Sequence, residues 1–209
     1  MARTHVTRHT RDYCLTPLAV CMMVLGGCGP QGTRFNIVDH RTVGGATSYF
    51  ENFGECYYST DPAGHFDFVA RRVGFGESDA DERITQVVHL RGIWHSVPGR
   101  TYAEETMINA TVSYMIVSDS GGASFDGGGF VSFRENRKKT VATGKLELAK
   151  LAPVRRLGDG RRIFERAEVK GVFKAARDRR QVIRILTEMR HLLGPMPRYE
   201  PPSTGADVL

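Results

Sequence analysis

The sequence predicts a mainly β domain: an antiparallel β-sandwich or barrel of about seven strands, followed by one C-terminal amphipathic α-helix. Apolar and polar residues alternate along several segments, which is typical of strands that are buried on one face. Glycine, proline and aspartate separate these segments at spacings typical of all-β sandwiches and barrels. After Asp178 the apolar period changes to that of a helix.

The predicted strands follow one another from residue 46 to residue 174. They cover residues 46–58, 65–73, 83–95, 105–118, 129–135, 140–150 and 162–174. Because alternate side chains of a strand point to opposite faces, the spacing also predicts which residues face the core. The predicted core residues are Ile84, Val88, Leu90, Trp94, Ile108, Ala110, Val112, Tyr114, Ile116, Ala142, Leu146, Leu148, Ile163, Ala167, Val169 and Phe173.

The helix is predicted over residues 178–193. Asp178 is its N-cap, and Gly194 and Pro195 end it. Its apolar stripe has helical spacing, and the arginines occupy the other faces. We expect this stripe to dock on the sheet rather than on a membrane. The stripe consists of Val182, Ile185, Leu186, Met189 and Leu193.

The N-terminus has the features of an export signal. Arg3, Arg8 and Arg11 precede an uncharged stretch over residues 15–27, which is too short to span a bilayer. Leu25-Gly26-Gly27-Cys28 closes this stretch and resembles the lipobox of bacterial lipoproteins. The resemblance implies cleavage before Cys28 and a diacylglyceryl group on its sulfur, with further acyl chains such as palmitate. In this family an aspartate after the lipidated cysteine often serves as an inner-membrane retention signal. Gly29 stands there instead, so the resemblance implies an outer-membrane destination.

The domain boundaries follow from this interpretation. We expect a signal peptide at 1–27, a tether at 28–45, a single β-rich domain at 46–194 and a disordered tail at 195–209. Cleavage removes two cysteines and acylation occupies Cys28, so Cys56 has no partner for a disulfide. Cys56 is predicted to be a buried, unreactive thiol.

Charge is uneven along the chain. Residues 29–133 contain seven Lys or Arg and 13 Asp or Glu, whereas residues 134–209 contain 19 Lys or Arg and nine Asp or Glu. The basic half suits anionic lipid headgroups or acidic polymers. An ordinary surface on which the two halves neutralise each other is the alternative. Nucleic acid is not expected as a partner of an exported protein.

No motif predicts catalysis, a metal or a cofactor. His89 and His95 would lie roughly 20 Å apart on one strand, and His65 belongs to another segment. The acidic run from Asp79 lacks the remaining ligands of a calcium loop. Glu104 and Glu105 are adjacent and would point to opposite faces. The glycines of residues 121–129 are predicted to form turns and bulges, and Asn109-Ala110-Thr111 is a weak glycosylation sequon.

The sequence therefore favours a non-catalytic lipoprotein of the cell envelope, anchored through acylated Cys28 and facing the periplasm, with a structural or protein-binding role. A carrier of a small apolar ligand is the alternative, because strands followed by a C-terminal helix resemble the lipocalins in outline, although their Gly-x-Trp motif is absent. A carbohydrate-binding β-sandwich is the third hypothesis. Its stacking rings would come from Tyr49, Tyr57, Tyr58 or Trp94.

Overall fold

Nine strands and one helix form the part of the chain that the structure describes. This computed structural model describes residues 32–41, 45–62, 64–75, 82–93, 108–158 and 166–194. The strands are β1 (Thr33–Arg41), β2 (Gly45–Phe53), β3 (Glu55–Thr60), β4 (Phe66–Phe75), β5 (Arg83–Gly92), β6 (Ala110–Ser118), β7 (Gly121–Glu135), β8 (Val141–Gly158) and β9 (Ala167–Arg177), and the helix is α1 (Arg179–Leu193). The predicted class, mainly β with one C-terminal helix, is confirmed.

The strands belong to a single sheet that closes on itself. The strands from β3 to β9 pair in sequence order, and β9 closes the ring of seven by pairing with both β8 and β3. The β9–β3 contact is parallel and short, whereas the other pairs are antiparallel. The β1–β2 hairpin joins the ring through β1, which pairs with β9. The sheet is therefore a ring with a two-strand extension, and not a clean barrel.

Apolar side chains fill the interior of the ring, and aromatic rings dominate one end of it. Phe66 stacks on Phe133 with ring centroids 3.9 Å apart, and Phe68 meets Phe173 at 4.5 Å. Tyr58 lies beside Phe66 and is completely buried. This packing near β3, β4 and β9 is the densest aromatic contact among the described residues.

The helix docks on the outside of the ring, as predicted. Val182, Ile185, Met189 and Leu193 are buried against Val69, Val87 and Met115, and Leu186 packs at the margin. The Asp178 side chain accepts a hydrogen bond from the Gln181 amide at 3.1 Å, so the predicted N-cap is confirmed. Within the described part of the chain, no helix is long and apolar enough to cross a membrane.

The predicted tether is wrong at residues 33–41, which form β1. Phe35, Ile37 and Asp39 alternate into the interior with no exposed side-chain surface. Two residues of the inward face of β1, Thr33 and Asp39, are polar although they are buried. The segment therefore does not show the apolar alternation by which the other strands are recognised.

Two further boundaries differ from the prediction. Gly54 divides residues 46–58 into β2 and β3. The glycine-rich residues 121–129 are part of β7 rather than turns, although two irregularities in the β7–β8 register fall at Ser124/Phe125 and Gly129/Val131. A Cβ at Gly127 would collide with the Lys150 carbonyl, so glycine at this position lets β8 approach.

The predicted core positions are mostly confirmed, with two errors. Ile108 is 54% exposed because β6 begins only at Ala110, and Leu148 is 40% exposed. A register shift between Leu146 and Ala149 turns Leu148 out of the interior. The confirmed buried positions are Val88, Leu90, Ala110, Val112, Tyr114, Ile116, Ala142, Leu146, Ala167, Val169 and Phe173, with Ile84 partly buried, while Trp94 and Ile163 lie outside the described residues.

Candidate functional site

The predicted lipidation residue, Cys28, lies outside the described residues, as do the signal peptide and the tail at 195–209. The described chain begins at Gly32, and β1 begins at Thr33. The predicted lipidation residue therefore precedes the first strand by only a few residues in the sequence. This is a much shorter link than the predicted 28–45 tether.

The histidines considered for a metal do not come together. His65 pairs with Asp61 at 2.8 Å, and His89 pairs with Asp67 at 3.1 Å on another part of the sheet. His95, Asp79, Glu104 and Glu105 lie outside the described residues. In the part of the chain that is described, no group of three His, Cys, Asp or Glu side chains is placed to hold a metal ion.

Cys56 is a half-buried thiol on β3. Its Sγ donates to the Phe53 carbonyl at 3.4 Å. Burial raises the pKa of the thiol to about 11, and a hydrogen bond with Thr33 offsets only part of this rise. Because the thiolate is the reactive form, this environment matches the unreactive thiol that the sequence predicts, with less burial than expected.

The tyrosines proposed as a sugar platform point in different directions. Tyr58 is fully buried, and its hydroxyl donates to the Lys139 carbonyl at 3.0 Å. Tyr49 packs against the interior of the ring, whereas Tyr57 packs against the helix side. The described tyrosines therefore do not form one exposed row, and Trp94 lies outside the described residues.

Asn109, the first residue of the sequon, has a structural role. It is only 2% exposed, and its side chain both accepts from the Val131 amide at 2.7 Å and donates to the Val131 carbonyl at 2.8 Å. A side-chain amide that is already paired on both sides is not accessible to a glycosylating enzyme. Asn109 instead fastens the start of β6 to β7.

The most distinctive surface feature is a gap in the wall between β2 and β4. The β3–β4 pairing ends at Glu55 and Arg71. Beyond that point, within the described residues, β2 pairs only with β1, and residues 72–75 of β4 pair only with β5. The two strands thus present backbone edges towards each other without a ladder between them. Gly54 marks the place where β2 turns away from β4.

A pair of opposite charges bridges this gap. Glu51 is on β2 and pairs with the buried Phe35 of β1. Arg72 is on β4, two residues after Ala70 on the same inward face. The Arg72 guanidinium pairs with the Glu51 carboxylate and lies 3.4 Å from Gln86 Oε1. The Glu51 side chain is 17% exposed and that of Arg72 is 38% exposed, so the pair closes the gap from inside while remaining in contact with solvent.

Tyr114 lies behind this charge pair in the interior. Burial raises the pKa of its hydroxyl far above the ordinary range, and the Glu51 carboxylate contributes in the same direction. Arg72 opposes this effect. The phenol is therefore neutral at all physiological pH values. The gap is lined by neutral hydrogen-bonding groups and one ion pair.

Two apolar side chains are exposed on the outer surface of these strands. Phe50 on β2 is 69% exposed, and Val73 on β4 is 42% exposed. Exposed strand edges flanked by apolar side chains are typical sites at which another strand adds to a sheet. The gap strands, defined here as residues 45–50 and 72–75, are therefore the candidate functional site.

The sequence contains only faint signals of this site. Glu51 and Arg72 occupy positions whose parity places them inside the ring, where charged side chains are unusual. Gly54 interrupts the aromatic segment 46–58.

Comparisons with protein-family models, with curated proteins and with solved structures find no match for this chain.

Proposed function

We propose that this chain is a lipid-anchored, non-catalytic protein of the bacterial cell envelope that binds a protein partner through the gap strands. The lipobox at Leu25–Cys28 supports the anchor and export. An outer-membrane location facing the periplasm follows from Gly29. The partner is recognised by strand addition, in which main-chain hydrogen bonds supply affinity and neighbouring side chains supply specificity.

The gap between β2 and β4 is the observation that carries the protein-binding role. Each gap strand has one edge in a ladder, with β1 or with β5, and the described residues provide no ladder for the other edge. Unpaired strand edges are open to pairing with a further chain unless they are protected. Phe50 and Val73 would lie against an added strand and supply apolar contact.

The filled interior supports a scaffold rather than a chemical role. The core of the ring includes eight aromatic residues that are almost completely buried, and several are in ring-to-ring contact. Such packing holds the strands rigidly and leaves recognition to the outer surfaces. The aromatic residues are Phe35, Phe53, Tyr58, Phe66, Phe68, Tyr114, Phe125 and Phe173.

Metabolic labelling with an acyl-chain analogue tests the anchor. Wild-type protein should carry the label, and Cys28→Ala should lose it and remain as uncleaved precursor or unanchored protein. Cys56→Ala is the matched control, because it removes the other cysteine of the mature chain and should keep full label. Label that persists in Cys28→Ala would overturn the anchor.

Site-specific photocrosslinking in the native host tests the gap strands. A photoreactive residue at Val73 should give a discrete adduct, and Phe50→Lys should abolish it by placing a charge at the edge. The control position is Ile183, which is 54% exposed on the helix, and it should give no such adduct. An adduct that is unaffected by Phe50→Lys, or the same adduct from Ile183, would contradict partner binding at the gap.

A lipocalin-like carrier is the second candidate. The closed ring of strands followed by an external helix supports it, as does the mixed polar lining of the gap, which could admit a small ligand. Native mass spectrometry of the protein purified from its own host distinguishes the two functions. A stoichiometric small molecule that is lost on Arg72→Met would favour the carrier, and a ligand-free mass would favour the partner-binding role.

A further inference from the structure

One end of the ring carries a dense group of basic side chains. It combines the turn between β7 and β8 with the end of β9 and the first turn of α1. The Arg177 amide donates to the Thr140 carbonyl at 2.8 Å, so these two segments are direct neighbours. We call this group the basic end. Its eight exposed members are Arg134, Arg137, Lys138, Lys139, Lys174, Arg177, Arg179 and Arg180.

The acidic residues within these segments are engaged elsewhere. Asp178 caps the helix through the Gln181 amide. Glu135 has a buried Oε1 and lies near Tyr58, whose pKa is raised to about 12 first by burial and then by this carboxylate. Neither carboxylate forms an ion pair with a base of the basic end among the described contacts. Asp61, next to the Thr60 hydroxyl that accepts from Arg177, pairs with His65. The positive charge of the basic end is therefore displayed to solvent without an ion pair among these contacts.

β1 begins beside the basic end, five residues after the predicted anchor position. Thr33, the first residue of β1, exchanges two hydrogen bonds with the Lys174 backbone, donating at 3.0 Å and accepting at 3.1 Å. Cys28 precedes Thr33 by five residues. A chain spans at most about 3.3–3.6 Å per residue, so an acylated Cys28 would hold Thr33 within about 18 Å of the lipid.

We propose that the basic end docks on the anionic headgroups of the membrane that holds the acyl anchor, which fixes the orientation of the ring on that membrane. This inference rests on the proposed lipid anchor. Anionic surfaces attract clustered Lys and Arg within about a Debye length, roughly 8–10 Å at physiological salt. The link, at most about 18 Å long, keeps the basic end close enough to the membrane to reach that range. The gap strands then remain accessible to a periplasmic partner.

An orientation with the far end of the ring against the membrane is less favourable, because only five residues separate Cys28 from Thr33. The last residue of β1, Arg41, and the turn that joins β6 to β7 are at the other end of the ring, and Arg41 lies eight residues along β1 from Thr33. Eight strand residues extend roughly 26 Å, which exceeds the reach of the link. The membrane must therefore lie on the Thr33 side of the ring or along its wall. Of these surfaces, the basic end is the one that lies beside Thr33 and gathers eight exposed basic side chains.

Full-length lipidated protein, purified from its host and reconstituted into vesicles, provides the test. An environment-sensitive fluorophore is attached through Lys138→Cys at the basic end or through Ser120→Cys at the far end, each in a Cys56→Ala background. The vesicles contain phosphatidylcholine alone or with phosphatidylglycerol. We expect a blue shift at position 138 only in the anionic vesicles, its loss in high salt, and no shift at position 120.

Charge variants complete the test. Arg137→Gln, Lys139→Gln and Lys174→Gln together should remove most of the shift at position 138. Arg83→Gln, Arg166→Gln and Arg190→Gln, which remove the same charge from exposed sites outside the basic end, should preserve it. Equal spectra in neutral and anionic vesicles, or a shift at position 120 instead, would overturn the inference. A shift that depends on protein concentration without vesicles would indicate contact between two copies and would also overturn it.

Acyl labelling of the same samples separates the two proposals. If the protein carries the acyl label but the fluorophore at position 138 shows no blue shift, docking is contradicted and the anchor is supported. Unlabelled protein that still binds anionic vesicles and shows the shift at position 138 supports docking while the anchor fails.

Discussion

The two sides of the ring interior differ in what holds them together. Around β3, β4 and β9 the strands pair with one another, although the β3–β9 contact is short, and stacked rings such as Phe66 and Phe133 fill the interior beside them. Between β2 and β4 the ladder is interrupted, and the Glu51–Arg72 ion pair with Gln86 occupies the opening. The aromatic side supplies stability next to the start of β1. The gap side retains unpaired edges, which is the property that partner binding requires.

This difference predicts where substitutions should lower the free energy of unfolding most. Buried aromatic contact is worth several kcal/mol per side chain, whereas a solvated ion pair is worth little. Stability should therefore be concentrated on the aromatic side. Changes at the gap should alter binding more than folding.

The largest expected effect is that of Phe173→Ala. The ring of Phe173 is completely buried and contacts Phe68, so its removal should cost about 3–5 kcal/mol of unfolding free energy. Urea unfolding measures it, with the exposed neighbour Lys174→Ala as control, expected within about 0.5 kcal/mol of wild type. Similar losses for the two variants would mean that the aromatic side is not the main source of stability.

Asn109→Ala should have the next largest effect. It leaves the Val131 amide and carbonyl without their side-chain partner in a buried place, at a cost of about 1–3 kcal/mol. Thr111→Ala is the control, because Thr111 is exposed on the same strand and should change stability by less than about 0.5 kcal/mol. Thermal or urea unfolding distinguishes them. A neutral Asn109→Ala would contradict the fastening role.

Arg72→Met should cost less, about 1–2 kcal/mol, because it leaves the Glu51 carboxylate without its partner at a site that is only partly exposed. Replacing both residues, Glu51→Leu with Arg72→Met, should restore stability to within about 1 kcal/mol of wild type. The double-mutant cycle is measured by urea unfolding. A double variant that is less stable than Arg72→Met would show that the ion pair is needed for folding.

The smallest effect concerns Cys56, at the junction of the two sides. Its thiol pKa is raised to about 11, so the thiol is protonated at neutral pH. The rate of alkylation by iodoacetamide should keep increasing with pH through 9 and 10 instead of levelling off near the ordinary thiol pKa of about 8.5. A plateau near pH 9 would indicate an exposed thiol and a looser junction than the structure has.

The sequence predicted the parts of the fold whose local signals agree with their environment. The helix has a cap, a stop signal and a continuous apolar stripe, so its start at Arg179 lies within one residue of the prediction. Val169 and Phe173 were placed correctly because β9 alternates without interruption until its end. In these elements the periodicity alone determines which side chains are buried.

The rest of the fold depends on contacts that the sequence does not display. β1 was missed because Asp39 and Thr33 are buried polar residues on its inward face. The register shift after Leu146 turns Leu148 to the outer face of β8, and no nearby residue in the sequence predicts this shift. The gap arises because β3 and β1 share one edge of β9. This is a property of closure that appears only in the assembled sheet.

Residue-resolved hydrogen exchange by NMR tests most directly whether the gap strands have an unpaired edge. In an antiparallel pair, alternate amides point towards one neighbour, so a strand with one partner protects only every second amide. We predict this alternating pattern in residues 45–50 and 72–75, with the unpaired amides exchanging at least about 100-fold faster than their neighbours. Residues 167–169 and 171–172 of β9, which are paired on both sides, should be protected throughout. Uniform protection across residues 45–50 and 72–75 would show that both edges are already paired and would contradict the proposed binding site.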